Sequence, residues 1–298
     1  MTVAMHRAAL IVNPKSGLSG RHTKPTEIAS LLTDAGIENS TFVTTELQSA
    51  AVLARQAIRE GYETVVACGG DGTISQVASA LVGTATALGV LPAGTLNHFA
   101  KDMHIPLDLM EATQVVARRK TELIDIGEVN GKSFVNNSSL GIYPNIVTDR
   151  ERRRKMGLNK PIAFVLAILQ VLRRYPFLDV RIEAKGDCIA ARTPFVFIGN
   201  NEYEIRGLNI GTRKCLNAGR LYLYIAAPVS RWGLVRMGAA ALLGRVDQTG
   251  SLQMSSVEEA WIETRRRHVR LSNDGEMLRL HTPLHYVLRP RALRVIVP

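Results

Sequence analysis

The sequence lacks an apolar run long enough to cross a membrane. The longest apolar stretch, Pro161 to Leu172, has 12 residues, whereas a spanning helix needs about 20. The first residues, Met1 to Val12, lead directly into a strand-like run and lack the pattern of a signal peptide. We therefore expect the chain to fold in the cytoplasm.

Cysteine and aromatic residues are scarce. Cys68, Cys188 and Cys215 are widely spaced and form no C-x-x-C pair, so the sequence indicates neither a disulfide framework nor a zinc site. We expect three small buried side chains in a reducing compartment. Aromatic residues make up only 5% of the chain, and no RNA-recognition or zinc-finger signature is present, so we expect no nucleic-acid partner.

Basic residues, in contrast, are in excess. The net charge of +11 predicts attraction to polyanions such as nucleotides, nucleic acid or an anionic membrane surface. The content of 46% hydrophobic and 21% charged residues is that of a folded protein and excludes a disordered chain.

The first 119 residues alternate β-rich runs with helical stretches. The predicted strands lie at 8–14, 41–44, 64–68 and 87–91, and the predicted helices at 24–35, 49–60 and 74–81. These strands lack a regular alternation of polar and apolar residues, which is typical of a parallel sheet covered by helices on both faces.

Beyond Lys120 the pattern changes to short strands separated by turn residues. Asn130-Gly131 predicts a hairpin with a primed turn. The predicted strands lie at 123–129, 133–135, 180–184, 195–198, 220–226, 254–262, 269–271 and 286–288, with a helix at 160–174. This pattern predicts an antiparallel β-sandwich after the α/β domain.

The segment Gly69-Gly70-Asp71-Gly72-Thr73 follows a buried strand and precedes a helix. Glycines let the backbone approach a ligand, and the helix offers free N–H groups and a positive dipole end, which favour phosphate. An acidic side chain in such a loop requires a cation, so Asp71 indicates Mg²⁺ on a nucleotide triphosphate. The alternative is a tight turn in which Asp71 caps the helix, and this motif alone leaves both interpretations open.

Two further loops follow strand ends. Asn13 to Gly17 follows the first strand, and Leu91 to Asn97 follows the fourth. Ligands of open parallel sheets bind beyond the carboxyl ends of the strands, where all three loops are expected. The chain has no P-loop fingerprint, and Gly70 to Ser75 fails the dinucleotide pattern at its last position. A P-loop enzyme and a Rossmann dehydrogenase are therefore disfavoured.

Together with Asp274-Gly275-Glu276, these loops resemble the diacylglycerol kinase catalytic-domain family, which includes bacterial lipid kinases, sphingosine kinases and ceramide kinases. The resemblance covers essentially the whole chain, although Gly-Gly-Asp-Gly-Thr is shared with NAD kinases. It implies an ATP-binding α/β domain of residues 1–126, to which residues 290–298 return. It also implies a β-sandwich domain of residues 127–289 for the lipid substrate, with the substrate in the cleft between the domains.

The resemblance also implies the residues of the site. Glu276 would accept the proton of the attacking lipid hydroxyl, with Asp274 nearby in support, although Asp274-Gly275 alone reads as a hairpin turn. Asp71 would hold Mg²⁺ through ATP. The implied nucleotide-binding residues are Asn13, Pro14, Lys15, Ser16, Gly17, Thr44, Gly69, Gly70, Asp71, Gly72, Thr73, Gly94, Thr95 and Asn97. The implied cofactors are ATP and Mg²⁺, and dimers are common in such proteins.

The chain departs from the family pattern at two positions. His98 stands where many relatives carry Asp, which would alter the polar network behind the phosphates. Ala218 stands where several bacterial relatives have an Asp that holds a structural Mg²⁺, which argues against that metal here.

Basic residues flank the apolar stretch Ile162 to Leu172, with Arg150 to Lys155 before it and Arg173-Arg174 after it. This arrangement resembles a helix at an anionic membrane interface, but it also fits a core helix with solvated ends. We expect a kinase that transfers the γ-phosphoryl group of ATP to a diacylglycerol- or sphingosine-like lipid at a membrane surface. The alternatives are an NAD kinase, a non-catalytic lipid-binding regulator of the same fold, and a nucleic-acid-binding protein supported by charge alone.

Overall fold

The computed structural model describes residues 6–16, 24–141, 177–184, 186–206, 209–213, 215–226 and 252–298. In the first half, strands and helices alternate as the sequence predicts. The elements are β1 (His6–Val12), α1 (Pro25–Asp34), β2 (Ile37–Val43), α2 (Ala50–Arg59), β3 (Thr64–Gly69), α3 (Asp71–Leu81), β4 (Ala87–Pro92), α4 (His98–Asp102) and α5 (Leu109–Arg118). None of the helices in these described ranges is long and apolar enough to cross a membrane.

Strands β1 to β4 form a parallel sheet in the order β2-β1-β3-β4. Every residue of β3 and β4 is buried, because helices pack on the sheet and their apolar faces enter the same core. Ile28 and Leu32 of α1, Leu53 of α2 and Val77 of α3 are buried in that core. The carboxyl ends of the four strands consequently lie along one edge.

The second half is built from antiparallel strands. They are β5 (Thr121–Val129), β6 (Lys132–Phe134), β7 (Asn137–Gly141), β8 (Leu178–Ala184), β9 (Asp187–Thr193), β10 (Phe195–Asn200), β11 (Tyr203–Arg206), β12 (Asn209–Arg213), β13 (Leu221–Ala226), β14 (Leu252–Val257), β15 (Glu259–Thr264), β16 (His268–Asn273), β17 (Glu276–His281) and β18 (Leu284–Ile296). Six of them form a sheet in the order β14-β13-β10-β7-β16-β17. A second apolar core lies between this sheet and β8, β15 and β18. The predicted α/β domain followed by a β-sandwich is thereby confirmed.

Strand β18 belongs to both halves. Its end pairs in parallel with β4 at Val295 and Leu88, while its start pairs with β15 from Leu284 to Val287. Strand β5 pairs antiparallel with β18 along most of its length. One strand, β18, therefore belongs to the β-sandwich at its start and to the parallel sheet at its end, and it links the two.

Some sequence predictions need correction. The single strand predicted at 254–262 is two strands in two sheets, because the burial alternation breaks between Val257 and Ala260, where the chain crosses from β14 to β15. Only Cys68 is buried, and burial raises its thiol pKa to about 12, whereas Cys188 and Cys215 are exposed. The helix predicted at 160–174 and the basic segments beside it lie outside the described residues.

Candidate functional site

Three loops meet at the carboxyl edge of the parallel sheet. Asn13, after β1, donates its side-chain amide to Thr73 Oγ1 at 3.0 Å. The hydroxyl of Ser16 accepts a hydrogen bond from the backbone N–H of Gly70 at 3.3 Å. These bonds tie the loop after β1 to the glycine segment after β3, so the sequence-predicted residues of the two loops do lie together.

The loop after β4 packs against the same glycines. A Cβ atom at Gly94 would lie 2.5 Å from the Cα atom of Gly70, so only glycine permits this approach. Asn97 is buried and closes its own loop, since its Oδ1 accepts from Gly94 N at 3.0 Å and its amide donates to Gly94 O at 3.1 Å. Asn97 therefore shapes the loop with both of its polar groups.

Helix α3 begins within the glycine segment, at Asp71 and not at Ile74 as the sequence analysis predicted. The first helical turn tolerates glycine because its N–H groups have no intrahelical partner. Gly70 is the N-cap residue, and no side chain caps the helix. The beginning of α3 is therefore an uncapped helix N-terminus at the edge where the three loops meet, which suits a phosphate group.

The Asp71 side chain caps a helix, but it is α4 and not its own helix. Its Oδ1 accepts a hydrogen bond from the backbone N–H of Phe99 at 3.1 Å. Among the described residues, its Oδ2 accepts no hydrogen bond. One oxygen is thus used to hold the loop after β4, and the second is left for a ligand.

The turn between β16 and β17 is anchored by Asp274. Its carboxylate accepts hydrogen bonds from the backbone N–H groups of Val135 at 2.7 Å, Asn136 at 2.8 Å and Asn137 at 3.0 Å. The hydroxyl of Ser75 on α3 donates a short hydrogen bond to the same carboxylate. Burial raises the pKa of Asp274, and these four hydrogen bonds act against the rise. Asp274 is therefore a positioning residue that fastens the hairpin to α3.

Glu276 is the first residue of β17, and its side chain is exposed. Its Oε1 accepts a hydrogen bond from the side-chain amide of Gln76 on α3. Gln76 lies five residues beyond Asp71, a rise of about 8 Å along a helix. The exposed carboxylate of Glu276 thus lies near the N-terminal end of α3, which no side chain caps.

A buried ion pair connects α4, which carries Asp102, to β12 of the second half, which carries Arg213. Arg213 Nε donates to Asp102 Oδ2 at 2.8 Å, with both side chains at most 4% exposed. The guanidinium also donates to Val135 O at 2.7 Å and to Asn136 Oδ1 at 2.9 Å. Because the backbone N–H groups of Val135 and Asn136 also donate to Asp274, polar contacts connect Arg213 to the turn between β16 and β17.

Replacing Arg213 by Met is expected to lower the free energy of unfolding by about 3–5 kcal/mol, because Asp102 would remain buried without its partner. Urea denaturation measures the change. The matched control is Arg265→Met, since Arg265 pairs with Asp179 at 3.1 Å in an exposed position and should cost less than about 1 kcal/mol. Equal losses in the two variants would contradict the role of the buried pair.

The remaining predicted nucleotide residues differ in their surroundings. Lys15 is exposed, and its Nζ lies 3.4 Å from Glu46 Oε1.

Thr44 donates its backbone N–H to Val12 O at 2.9 Å, and Thr95 is exposed at the site edge. Pro14 lies in the loop after β1 and Gly72 in the first turn of α3, whereas Gly17 falls outside the described residues. His98, at the first position of α4, is exposed.

The segment around Ala218 is held by protein groups. The Asp125 carboxylate accepts from Gly219 N at 2.7 Å and from Arg291 N at 2.9 Å, and Ala218 N donates to Asn201 Oδ1 at 2.9 Å. Across the described ranges, no group of three or more His, Cys, Asp or Glu side chains could hold a metal ion.

Sequence reasoning missed Ser75, Gln76, Asp102 and Arg213. No local signal marks them, because each is an ordinary polar residue in a helix or a strand. Their roles depend on partners more than 100 positions away in the sequence.

The structure thus combines an α/β domain, in which three loops meet at the carboxyl edge of a parallel sheet, with a β-sandwich joined to it by β18. Residues 7–129 match the family model of the diacylglycerol kinase catalytic domain. Residues 144–297 match that of the YegS C-terminal NAD kinase β-sandwich-like domain. Residues 7–129 therefore belong to the diacylglycerol kinase catalytic-domain family, and residues 144–297 belong to the YegS C-terminal β-sandwich-like domain family.

The chain is 30% identical over 195 residues to diacylglycerol kinases of Staphylococcus aureus strains bovine RF122 and MRSA252. The match covers 65% of this chain and 62% of each relative. A solved structure titled as a diacylglycerol kinase from Bacillus anthracis superposes with a TM-score of 0.71 at 19% identity, covering 98% of this chain and 97% of the other. Another chain from that organism gives 0.75 at 22% identity, with the same coverage. These similarities show the shared fold.

Proposed function

We propose that this protein is a lipid kinase that transfers the γ-phosphoryl group of ATP to the hydroxyl of a diacylglycerol- or sphingosine-like lipid. The observation that carries the proposal is the position of Glu276, an exposed carboxylate held by Gln76 beside the uncapped N-terminus of α3. A phosphate-binding site with a proton acceptor close to it is what phosphoryl transfer to an alcohol requires.

In this proposal the triphosphate binds at the first turn of α3, where the space beside Gly72 is open. Glu276 accepts the hydroxyl proton while the hydroxyl oxygen attacks the γ-phosphorus, and ADP leaves. Asp274 takes no proton, because its oxygens are occupied by Ser75 and three backbone N–H groups. Its part is to keep Glu276 in place relative to α3.

A Mg²⁺ ion fits the donor set. Magnesium is commonly held by one or two carboxylates together with substrate phosphates and water, and Asp71 offers one carboxylate oxygen beside the phosphate site. When bound, the ion would supply charge neutralisation of the phosphates. Asp71 would hold it while keeping α4 capped.

The proposal predicts that purified protein transfers label from γ-labelled ATP to one lipid of a panel containing diacylglycerol, sphingosine, ceramide and phosphatidylglycerol in mixed micelles. NAD is included as a separate acceptor, because the second family model describes an NAD kinase-like domain. Label on NAD alone would favour an NAD kinase. No turnover with any acceptor would favour a non-catalytic lipid-binding regulator.

A further inference from the structure

The hairpin that carries Glu276 presents cations on its outer face. His268 pairs with His281, and Arg270 pairs with Arg279 two positions further along the ladder, on the same face of the hairpin. All four side chains are exposed, whereas Val269 and Leu271 on the inner face are buried in the sandwich core. We call the exposed set the cationic face; its members are His268, Arg270, Met277, Arg279 and His281.

The arginines of the cationic face have no acidic partner among the residues that the structure describes, unlike other arginines of the second half. Like charges directly opposite each other on neighbouring strands are unfavourable. In the part of the chain that the structure describes, neither Arg270 nor Arg279 makes an ion pair or a hydrogen bond, whereas Arg289 is paired with Glu128 at 3.1 Å. Such a pair is stabilised when an external anion binds both guanidinium groups.

The sequence of the hairpin keeps acidic residues off this face. Residues 265–273 contain four arginines and one histidine with no Asp or Glu, and residues 277–283 also contain no Asp or Glu. The two acids of the turn, Asp274 and Glu276, are directed to α3 through Ser75 and Gln76. The pKa of His268 is lowered by desolvation and by the charges of His281 and Arg279, which is consistent with an excess of positive charge.

The cationic face also includes an apolar group at the end nearest the site. Met277 follows Glu276 in β17 and is 39% exposed. From Met277 to His281 the strand extends by about 14 Å. The face therefore begins beside the turn that positions Glu276 and continues away from it along both strands.

We propose that the cationic face binds the anionic surface of a phospholipid membrane, with Arg270 and Arg279 on lipid phosphates and Met277 at the headgroup boundary. This inference rests on the proposed function. The contact would place the end of the hairpin that carries Glu276 next to the lipid layer that contains the acceptor. Arginine pairs phosphate in a bidentate manner, and the exposed apolar side chain of Met277 suits the boundary below lipid headgroups better than a nucleic-acid backbone. The chemistry therefore favours a lipid surface as the single occupant.

Co-sedimentation with vesicles of phosphatidylglycerol and phosphatidylcholine in equal amounts tests the proposal without ATP. Each arginine near an anionic surface should contribute roughly 5-fold to the affinity, so Arg270→Gln/Arg279→Gln should weaken binding by about 30-fold. High salt should weaken the binding of the parent protein. The matched control is Arg55→Gln/Arg59→Gln on α2, which removes the same charge from exposed positions and should retain most of the binding.

A further variant and thermal melting separate charge from structure. Arg270→Lys/Arg279→Lys should keep most of the binding, and the Gln variant should melt no lower than the parent because a repulsive pair is removed. The proposal is overturned if the parent does not bind these vesicles, if the Gln variant and the parent pellet equally, or if a DNA fragment is bound in place of vesicles. Equal losses in the α2 control would overturn it as well.

Activity distinguishes this proposal from the proposed function. The Gln variant should phosphorylate a short-chain, water-soluble acceptor as fast as the parent. A protein that binds vesicles through the cationic face but phosphorylates no acceptor contradicts the kinase assignment alone. A protein that phosphorylates lipid but whose Gln variant binds vesicles like the parent contradicts the docking surface alone.

Discussion

Replacing Asp71 by Asn is expected to lower phosphoryl transfer by on the order of 10²–10³-fold, the range for loss of one group that stabilises developing charge. Asn retains an oxygen that can accept from Phe99 N, so the cap of α4 should remain. It loses the negative charge that would hold Mg²⁺ beside the phosphates. Steady-state kinase assays at varied Mg²⁺, together with thermal melting, measure both effects.

The control for this prediction is Asp71→Ala, which removes the charge and the cap together. Loss of a helix cap costs about 1 kcal/mol, so the Ala variant should melt lower than the Asn variant while being equally inactive. Near-normal activity of a stable Asn variant would limit Asp71 to capping α4. That outcome would leave Asp71 a structural role alone, as a cap of α4 and not of its own helix as the sequence alternative had it.

Replacing Glu276 by Gln is expected to lower turnover by about 10²–10⁴-fold, the range for a positioned general base. Gln has nearly the same size and keeps an oxygen that can accept the bond from Gln76. It cannot take the proton from the lipid hydroxyl. The affinity for ATP, measured by titration calorimetry, should be nearly unchanged because Glu276 lies on the acceptor side of the site.

Gln76→Ala provides the companion variant, since it leaves the carboxylate intact and removes its contact on α3. A smaller loss of turnover, with an unchanged pH profile, is expected if Gln76 only positions Glu276. A collapse of ATP binding in Glu276→Gln would instead assign Glu276 to the nucleotide site. Full activity of Glu276→Gln would remove this residue from the mechanism.

The alternation of strands and helices was readable from the sequence because local periodicity dictates it. The runs before Gly69 and Leu91 are continuous apolar segments, and such segments can only be buried on both faces of a sheet. Gly36 and Gly61, both with positive φ, mark helix ends by the same local rule. The turn at Asn130-Gly131 likewise follows from the residues themselves.

Local rules failed where the choice depends on distant partners. The residues between Leu252 and Thr264 do not by themselves specify that β14 and β15 belong to different sheets. This division depends on the pairing of β14 with β13 and of β15 with β18. The same holds for the start of α3. Glycine is a poor helix residue in isolation, but Gly72 lies in the first turn of α3 because the helix already begins after the N-cap residue Gly70.

The sequence by itself determined which residue types stand at the strand ends, and it therefore predicted a phosphate site at this edge of the sheet. It could not decide what each carboxylate does. Asp71 and Asp274 both lie next to glycine, but one keeps an oxygen without a hydrogen bond from any described residue, while the other accepts four hydrogen bonds. Only the tertiary structure separates them, because a carboxylate's role depends on the donors that the fold brings to it, and here those donors come from residues up to 199 positions away.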